Sequence, residues 1–338
     1  MTQKRASVAS SALGLHHRSA AGIEMWIAID SLRRGPALGG CRWKPYPDPA
    51  AARADVTALA RAMTLKAALA RLALGGGKAV VVGDPRVRTR EQLLALGDFI
   101  EELDGAYITA ADMGTGQEEM AVISERTRHV AGLPRRLGGC GDPGPHTAMG
   151  LSMAIEAALG HRDRPLRGAQ VAIQGLGSVG GDLAKLLLAR GASVVGADPR
   201  PELRASLPRE IRWVEPGAIL TEPCDVLSPC GPPFVIDPRV AEALRCRIVC
   251  GGANNPLSSV EIAAVLARRD ILYVPDFLAN AGGLIHLALA LEGGDDAATL
   301  RHLAVIPENL SAVITQSKAD HADMATTACR IAEALVQG

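Results

Sequence analysis

The stretch Val171-Ala-Ile-Gln-Gly175-Leu-Gly-Ser-Val-Gly180 decides how the second half of the chain reads. A G-x-G-x-x-G pattern alone is weak, and here its setting gives it weight. It follows a predicted strand, Ala169–Gln174, and opens a predicted helix, Val179–Arg190; a second strand, Ser193–Ala197, then runs into Asp198. The first glycine permits a tight turn, the second lets backbone approach a pyrophosphate, and the third allows close helix–sheet packing. The pyrophosphate would sit on the helix N-terminus, where N–H groups and the helix dipole favour anions. Asp198 can accept hydrogen bonds from both adenosine ribose hydroxyls and would repel a 2′-phosphate, so the pattern predicts NAD rather than NADP. Arg200 is close enough in sequence to pair with such a phosphate instead. Gly175, Leu176, Gly177, Ser178, Val179, Gly180 and Asp198 are therefore the candidate cofactor residues.

Working outward, further strands are expected at Asp225–Leu227, Arg247–Cys250 and Ile271–Val274. Strands separated by helices imply a parallel, doubly wound sheet, placing a nucleotide-binding domain at 144–310. The Gly/Pro-dense run Leu137–Pro145 reads as a hinge, followed by a helix over Thr147–Leu159. Before it lies a mixed α/β region, 1–143. Strands are expected there at Met25–Ile29, Ala79–Val82 and Ala106–Thr109, and helices at Pro49–Leu72 and Arg90–Leu103. A chain of 338 residues has room for two such domains.

Composition excludes several function classes. Lys+Arg and Asp+Glu both total 36, so no net charge argues for a nucleic-acid or membrane-surface partner. Aromatics at 3% leave little for base-stacking platforms. The longest apolar stretch, Phe277–Leu291, is too short to span a bilayer and carries Asn280 and His286. The acid-free N-terminus, Met1–Gly22, has a faint transit-peptide character but no apolar signal core, and reads as an irregular or strand-forming start. Seven cysteines, none in C-x-x-C spacing, suggest neither a disulfide framework nor a zinc site, and fit reduced thiols in the cytoplasm.

Only six of the 36 basic residues are lysines, at 4, 44, 66, 78, 185 and 318. Where this chain needs only positive charge it uses Arg, so a lysine in a glycine-rich apolar segment hints at chemistry that needs a tunable amine. Residues 35–85 hold two: Met63-Thr-Leu-Lys66 late in a predicted helix, and Leu74-Gly-Gly-Gly-Lys78 ahead of a strand. An ordinary lysine is an exposed surface charge; one between a glycine run and an apolar strand points to a site.

This segment, with Gly35-Pro-Ala-Leu-Gly-Gly40 and Gly83-Asp-Pro85, resembles the amino-acid dehydrogenase family, in its leucine/valine/phenylalanine branch. Further matches are Tyr107-Ile-Thr-Ala-Ala-Asp112-Met-Gly-Thr, Gly139-Cys-Gly-Asp-Pro with Thr147-Ala148, Gly252-Ala-Asn-Asn255, and Tyr273-Val-Pro-Asp-Phe-Leu-Ala-Asn280-Ala-Gly-Gly-Leu. The resemblance implies an N-terminal substrate and oligomerisation domain completed by 311–338, a Rossmann NAD domain, and a site in the cleft between them. It implies that Lys66 binds the substrate α-carboxylate, that Lys78 is an amine of lowered pKa that activates water, and that Asp112 moves protons to and from the amino group. Asn255 and Asn280 would contact substrate or nicotinamide, Gly39 and Gly40 would permit close approach, and Thr147 and Asn254 would lie near the cofactor.

Glutamate-specific relatives carry Lys where this chain has Leu38, and a buried glutamate carboxylate would lack its partner. With Met63, Ala110, Leu284 and Leu287 at the other pocket positions, the implied substrate is an apolar L-amino acid, leucine- or valine-like first and aromatic second. It would be deaminated reversibly to a 2-oxo acid by a cytoplasmic homo-oligomer, dimer or octamer. Departures from relatives include Leu65 for Tyr, Ala111 for Glu and His286 for Asn. A non-catalytic NAD-binding regulator on the same fold is the alternative.

Overall fold

In the computed structural model, which describes residues 13–337, the chain divides into two compact units. The first comprises residues up to Asp142, Leu287–Asp295 and residues from Ala332 on; the second comprises Pro143–His286 and Asp296–Ile331. Residues 1–12 of the acid-free N-terminus lie outside the described residues, whereas Gly14–Ala20 forms a strand.

The first unit runs β1 (Gly14–Ala20), β2 (Ile23–Ser31), β3 (Ala37–Lys44), α1 (Pro49–Leu69), β4 (Gly75–Val82), α2 (Arg90–Glu101), β5 (Tyr107–Ala111) and α3 (Gln117–Ile123). Its five-stranded sheet has the order β1-β2-β4-β3-β5. The pairs β1–β2 and β2–β4 are antiparallel, whereas β4–β3 and β3–β5 are parallel. Successive side chains on a strand face opposite ways, and each face has its own helix. Met25, Ile27, Ile29, Ala79 and Val81 pack with Leu93, Leu96, Phe99 and Ile100 of α2. Ala28 and Val80 face the other way, onto Ala52, Val56 and Ala60 of α1. Pro49 opens α1, where Asp48 caps the helix by accepting from the Ala51 amide at 2.7 Å.

The strand expected at Ala79–Val82 starts earlier, at Gly75, so the glycine run is part of the sheet. A Cβ on Gly76 would stand 2.1 Å from the Thr64 amide nitrogen of α1, and one on Gly77 2.8 Å from the Tyr107 ring. Glycine is what lets helix and strand approach this closely. Strand β3 had no apolar alternation to announce it, because Gly39 and Gly40 interrupt it.

The second unit contains α4 (Gly144–Gly160), β6 (Gln170–Gln174), α5 (Ser178–Ala189), β7 (Ser193–Ala197), β8 (Arg212–Trp213), β9 (Val226–Pro229), α6 (Pro238–Ala243), β10 (Ile248–Val249), α7 (Glu261–Arg268), β11 (Leu272–Tyr273) and α8 (Asp276–Ala279). Then follow α9 (Gly282–Leu291), whose last residues group with the first unit, α10 (Asp296–His302), α11 (Val305–Asp320) and α12 (Met324–Gln337). The division between units falls within α12: Glu333 pairs with Arg61, and the Leu335 carbonyl accepts from Arg34.

All strand pairs of the second, six-stranded sheet are parallel, in the order β11-β10-β9-β6-β7-β8. Chain order reverses between β6 and β9, the switch point where ligands bind at strand carboxyl ends. Among the described residues no helix is long and apolar enough to cross a membrane.

Replacing Gly76 by Ala is expected to lower the unfolding free energy by about 1–3 kcal/mol, the cost of overpacking a closed contact. Urea unfolding of purified Gly76→Ala checks this, and an unchanged midpoint would contradict the packing described.

Candidate active site

Alternation along three strands puts the chemistry-bearing residues of the first unit on one sheet face. Lys78 alternates with Ala79 and so projects to the α1 side; Leu38, Gly40 and Arg42 of β3, and Ala110 and Asp112 at the end of β5, share that side by the same count. The outcome is an ion pair: Lys78 Nζ lies 2.6 Å from Asp112 Oδ2, with the side chains 6% and 18% exposed. Gly40 leaves the required space, since a Cβ there would be 2.7 Å from that of Asp112. The β3–β4 pairing skips Gly39 and Gly40, and the Tyr107 hydroxyl donates to the Gly39 carbonyl at 2.6 Å.

Arg42 is a residue that sequence reasoning passed over. Its Nε lies 3.4 Å from Asp112 Oδ2, and its Nη1 donates to both carboxylate oxygens of Asp55, at 3.3 and 3.2 Å. Asp55 in turn accepts from the Tyr46 hydroxyl at 2.5 Å and lies 3.5 Å from Lys44 Nζ. The available signal was the strand count placing Arg42 beside Lys78, but it required knowing that β3 is a strand. Thr115 was missed too: its hydroxyl accepts from the Asp112 amide at 3.0 Å and donates to the Cys41 carbonyl at 2.8 Å, pinning the turn after β5.

Burial alone would raise the Asp112 carboxyl. The Lys78 and Arg42 charges outweigh it and hold the group well below the ordinary aspartate range. Cys41, buried on the opposite face of β3, is pushed up to about 12 by burial and stays a thiol.

The half-buried Met63 and Lys66 follow Leu59 at helical spacing, flanking the packed stripe of α1. Leu38 and Ala110 are buried, as is Leu287 at the end of α9 assigned to this unit.

In the second unit the strand carboxyl ends bring several candidates together. Gly175 takes φ +87°, and a Cβ there would be 2.9 Å from Gly231 in the loop after β9. A Cβ on Gly180 would be 1.9 Å from the Gly175 carbonyl, so the third glycine is needed for packing. At Gly177 a Cβ would meet only the flexible end of Arg200, at 3.2 Å, and Gly177 supplies no side chain to cap α5. Backbone open to approach at a helix start fits a pyrophosphate cradle. Gly252, in the loop after β10, lies against Val179 and Cys230. Asn280 is buried, and its Nδ2 donates to Asn254 Oδ1 at 2.8 Å and to the Gly252 carbonyl at 3.1 Å. Its own Oδ1 is buried without a hydrogen-bond partner.

Asn255 is held by its backbone, at φ +51°, with its amide donating to Asp276 at 2.9 Å and its side chain exposed. Thr147 donates to the Pro143 carbonyl at 3.0 Å, one turn before it. Gly283 leaves room for that hydroxyl, since a Cβ would come within 2.5 Å of it; Leu284 is buried on the same helix, α9.

Asp198, at the end of β7, accepts from the Leu176 amide at 2.9 Å, so it braces the glycine turn from beneath. Arg200 grips both of its oxygens, through Nε at 2.9 Å and Nη2 at 3.0 Å, and this pairing holds the Asp198 carboxyl at about 2.

Residues 11–129 match the family description "Glu/Leu/Phe/Val dehydrogenase, dimerisation domain", and residues 138–199 and 202–332 match "Glutamate/Leucine/Phenylalanine/Valine dehydrogenase". The chain is 39% identical over 322 residues to a valine dehydrogenase of Streptomyces albus, covering 93% of this chain and 88% of that protein. It is 37% identical over 321 residues to a leucine dehydrogenase of Thermoactinomyces intermedius, covering 94% and 88%. The crystal structure of L-tryptophan dehydrogenase from Nostoc punctiforme superposes with a TM-score of 0.81 at 31% identity, covering 96% of this chain and 95% of that one.

The pairing of Asp112 stabilises the fold at every pH above the ordinary aspartate range and is lost only as pH falls through its depressed pKa. Arg42→Leu removes one of the two cations and raises that pKa, so acid unfolding should begin at higher pH than in the wild type. Circular dichroism against pH checks this; coincident curves would show that Arg42 does not act on Asp112. On these matches and this geometry, the chain belongs to the Glu/Leu/Phe/Val dehydrogenase family, and it is an amino-acid dehydrogenase with a nicotinamide-dinucleotide fold.

Proposed function

We propose that this enzyme uses NAD to deaminate an apolar L-amino acid, leucine- or valine-like in preference to aromatic, with Lys78 and Asp112 as its catalytic pair. The observation that carries the reading is the buried 2.6 Å contact between Lys78 Nζ and Asp112 Oδ2 on the sheet face shared with Leu38 and Ala110. The nicotinamide, when bound, supplies the acceptor for the hydride that leaves the substrate Cα, turning the amine into an iminium. Lys66 would hold the α-carboxylate. Lys78 would take a proton from the water that attacks the iminium carbon. Asp112 would receive that proton from Lys78 and pass it to the nitrogen. As the C–N bond breaks and ammonia departs, Lys78 would take the hydroxyl proton while the C=O bond of the 2-oxo acid forms, and Arg42 would favour the ionised form of Asp112 between turnovers. A proton can cross between Lys78 and Asp112 without either side chain moving far.

The apolar preference rests on Leu38: an acidic substrate side chain placed here would meet a buried leucine in place of a lysine. The preference for NAD rests on Asp198, whose carboxylate stands at the end of β7 where a ribose 2′-phosphate would be repelled. Asn254, Asn255, Asn280 and Thr147 would contact nicotinamide or substrate, with Leu284 and Leu287 lining the side-chain pocket. The substrate and assembly domain would take residues 1–143 with the C-terminal segment, and the NAD domain 144–310. The family description of 11–129 as a dimerisation domain supports a homo-oligomer, dimer or octamer, and a cytoplasmic setting suits the seven cysteines.

A panel of L-amino acids assayed at alkaline pH by NADH absorbance should give the highest rates with branched aliphatic substrates and negligible rate with glutamate. Comparable rates with NADP would overturn the role of Asp198. Lys78→Ala should lower kcat by at least ~100-fold, the scale of positioned acid–base catalysis; near-normal turnover in a folded variant would remove Lys78 from the chemistry.

A further inference from the structure

His146 lies in the first turn of α4 and His286 in the middle of α9. Their rings stack with centroids 3.9 Å apart and planes 12° apart, and the side chains are 12% and 4% exposed. Asp296, the first residue of α10, sets its Oδ1 3.5 Å from His146 Nε2 and 3.9 Å from His286 Nδ1. One nitrogen from each ring and a carboxylate oxygen of Asp296 all lie within 4.8 Å of one another. The deamination steps above use none of the three.

We propose that His146, His286 and Asp296 form a site for a divalent transition-metal ion, with zinc as its natural size and donor match. Two imidazoles and one carboxylate are a zinc-type donor set that leaves a fourth position open, and they are a poor set for the oxygen-seeking calcium or magnesium. Zinc bonds of about 2.0–2.2 Å at tetrahedral angles place donor atoms about 3.4 Å apart. The two separations to Asp296 are within about half an ångström of that spacing. What must change is the stack: imidazole lone pairs lie in the ring planes, so in nearly parallel rings they run side by side. Rotating each ring about its own Cβ–Cγ bond opens the stack and turns its lone pair toward a point shared with the Asp296 oxygen. Asp296, with its side chain 56% exposed, opens the site to solvent, while the buried rings supply fixed donors. The proposal does not depend on the deamination reading, and its test reads metal rather than turnover.

Full-length protein stripped with a chelator is titrated with Zn2+ in competition with a chromophoric chelator, and separately with Co2+ while its visible spectrum is followed. The expected result is one tight equivalent with a nitrogen/oxygen-type Co2+ spectrum. His286→Asn and Asp296→Asn should each lose at least tenfold in affinity, and the exposed-site control His321→Asn should not. If wild type and both variants bind alike, or if the spectrum shows thiolate charge transfer from cysteine, the proposal is overturned. Asp296→Asn changes an exposed side chain, so it keeps the test decisive even if His286→Asn fails to fold.

Discussion

The first unit is organised around two opposite charges buried at 2.6 Å, Lys78 and Asp112, with Arg42 as a second cation on the same carboxylate. Taking two ions out of water costs several kcal/mol for each, and only close geometry and further hydrogen bonds offset that. Much of the surrounding sequence supplies these conditions. Glycines at 40 and 76 let Asp112 and α1 approach backbone that any side chain would hold off. Thr115 fixes the Asp112 turn, and Asp55 and Tyr46 fix the far end of Arg42. A lysine beside a carboxylate is suited to moving protons, and the apolar Leu38 and Ala110 share the face with Arg42.

The second unit solves a different problem with the same residue. Its glycines at 175 and 180 bring two loops and a helix together at the point where strand order reverses. Asp198 does two jobs there: it braces the turn through the Leu176 amide and presents a carboxylate at the end of β7. Arg200 binds that carboxylate through two hydrogen bonds and holds its pKa down.

The nucleotide unit was legible in the sequence because its signals are local. Apolar strands alternate with amphipathic helices, the glycines have fixed spacing, and Ser193–Ala197 falls where alternation and Asp198 place it. In the first unit, Pro49–Leu69 and Arg90–Glu101 were legible for the same reason. Strand β3 was not, since Gly39 and Gly40 erase its pattern, and with it went Arg42 and the carboxylate–arginine chain through Asp55. The glycine run at 75–77 reads as lying ahead of the strand rather than within it, because what makes Gly76 a glycine is a helix twelve residues back in the chain, at Thr64. Lys78 and Asp112 could each be named from motif resemblance, but their contact is a product of sheet register, which no local pattern encodes. The histidine pair was likewise invisible, being assembled by two helices far apart in sequence.

The most direct test of the central claim is a crystal structure of the enzyme with NAD and a non-reactive leucine analogue. The account predicts the analogue's carboxylate on Lys66, its nitrogen within hydrogen-bonding reach of the Lys78–Asp112 pair, and its side chain against Leu38. An analogue bound with its nitrogen remote from the Lys78–Asp112 pair would contradict it.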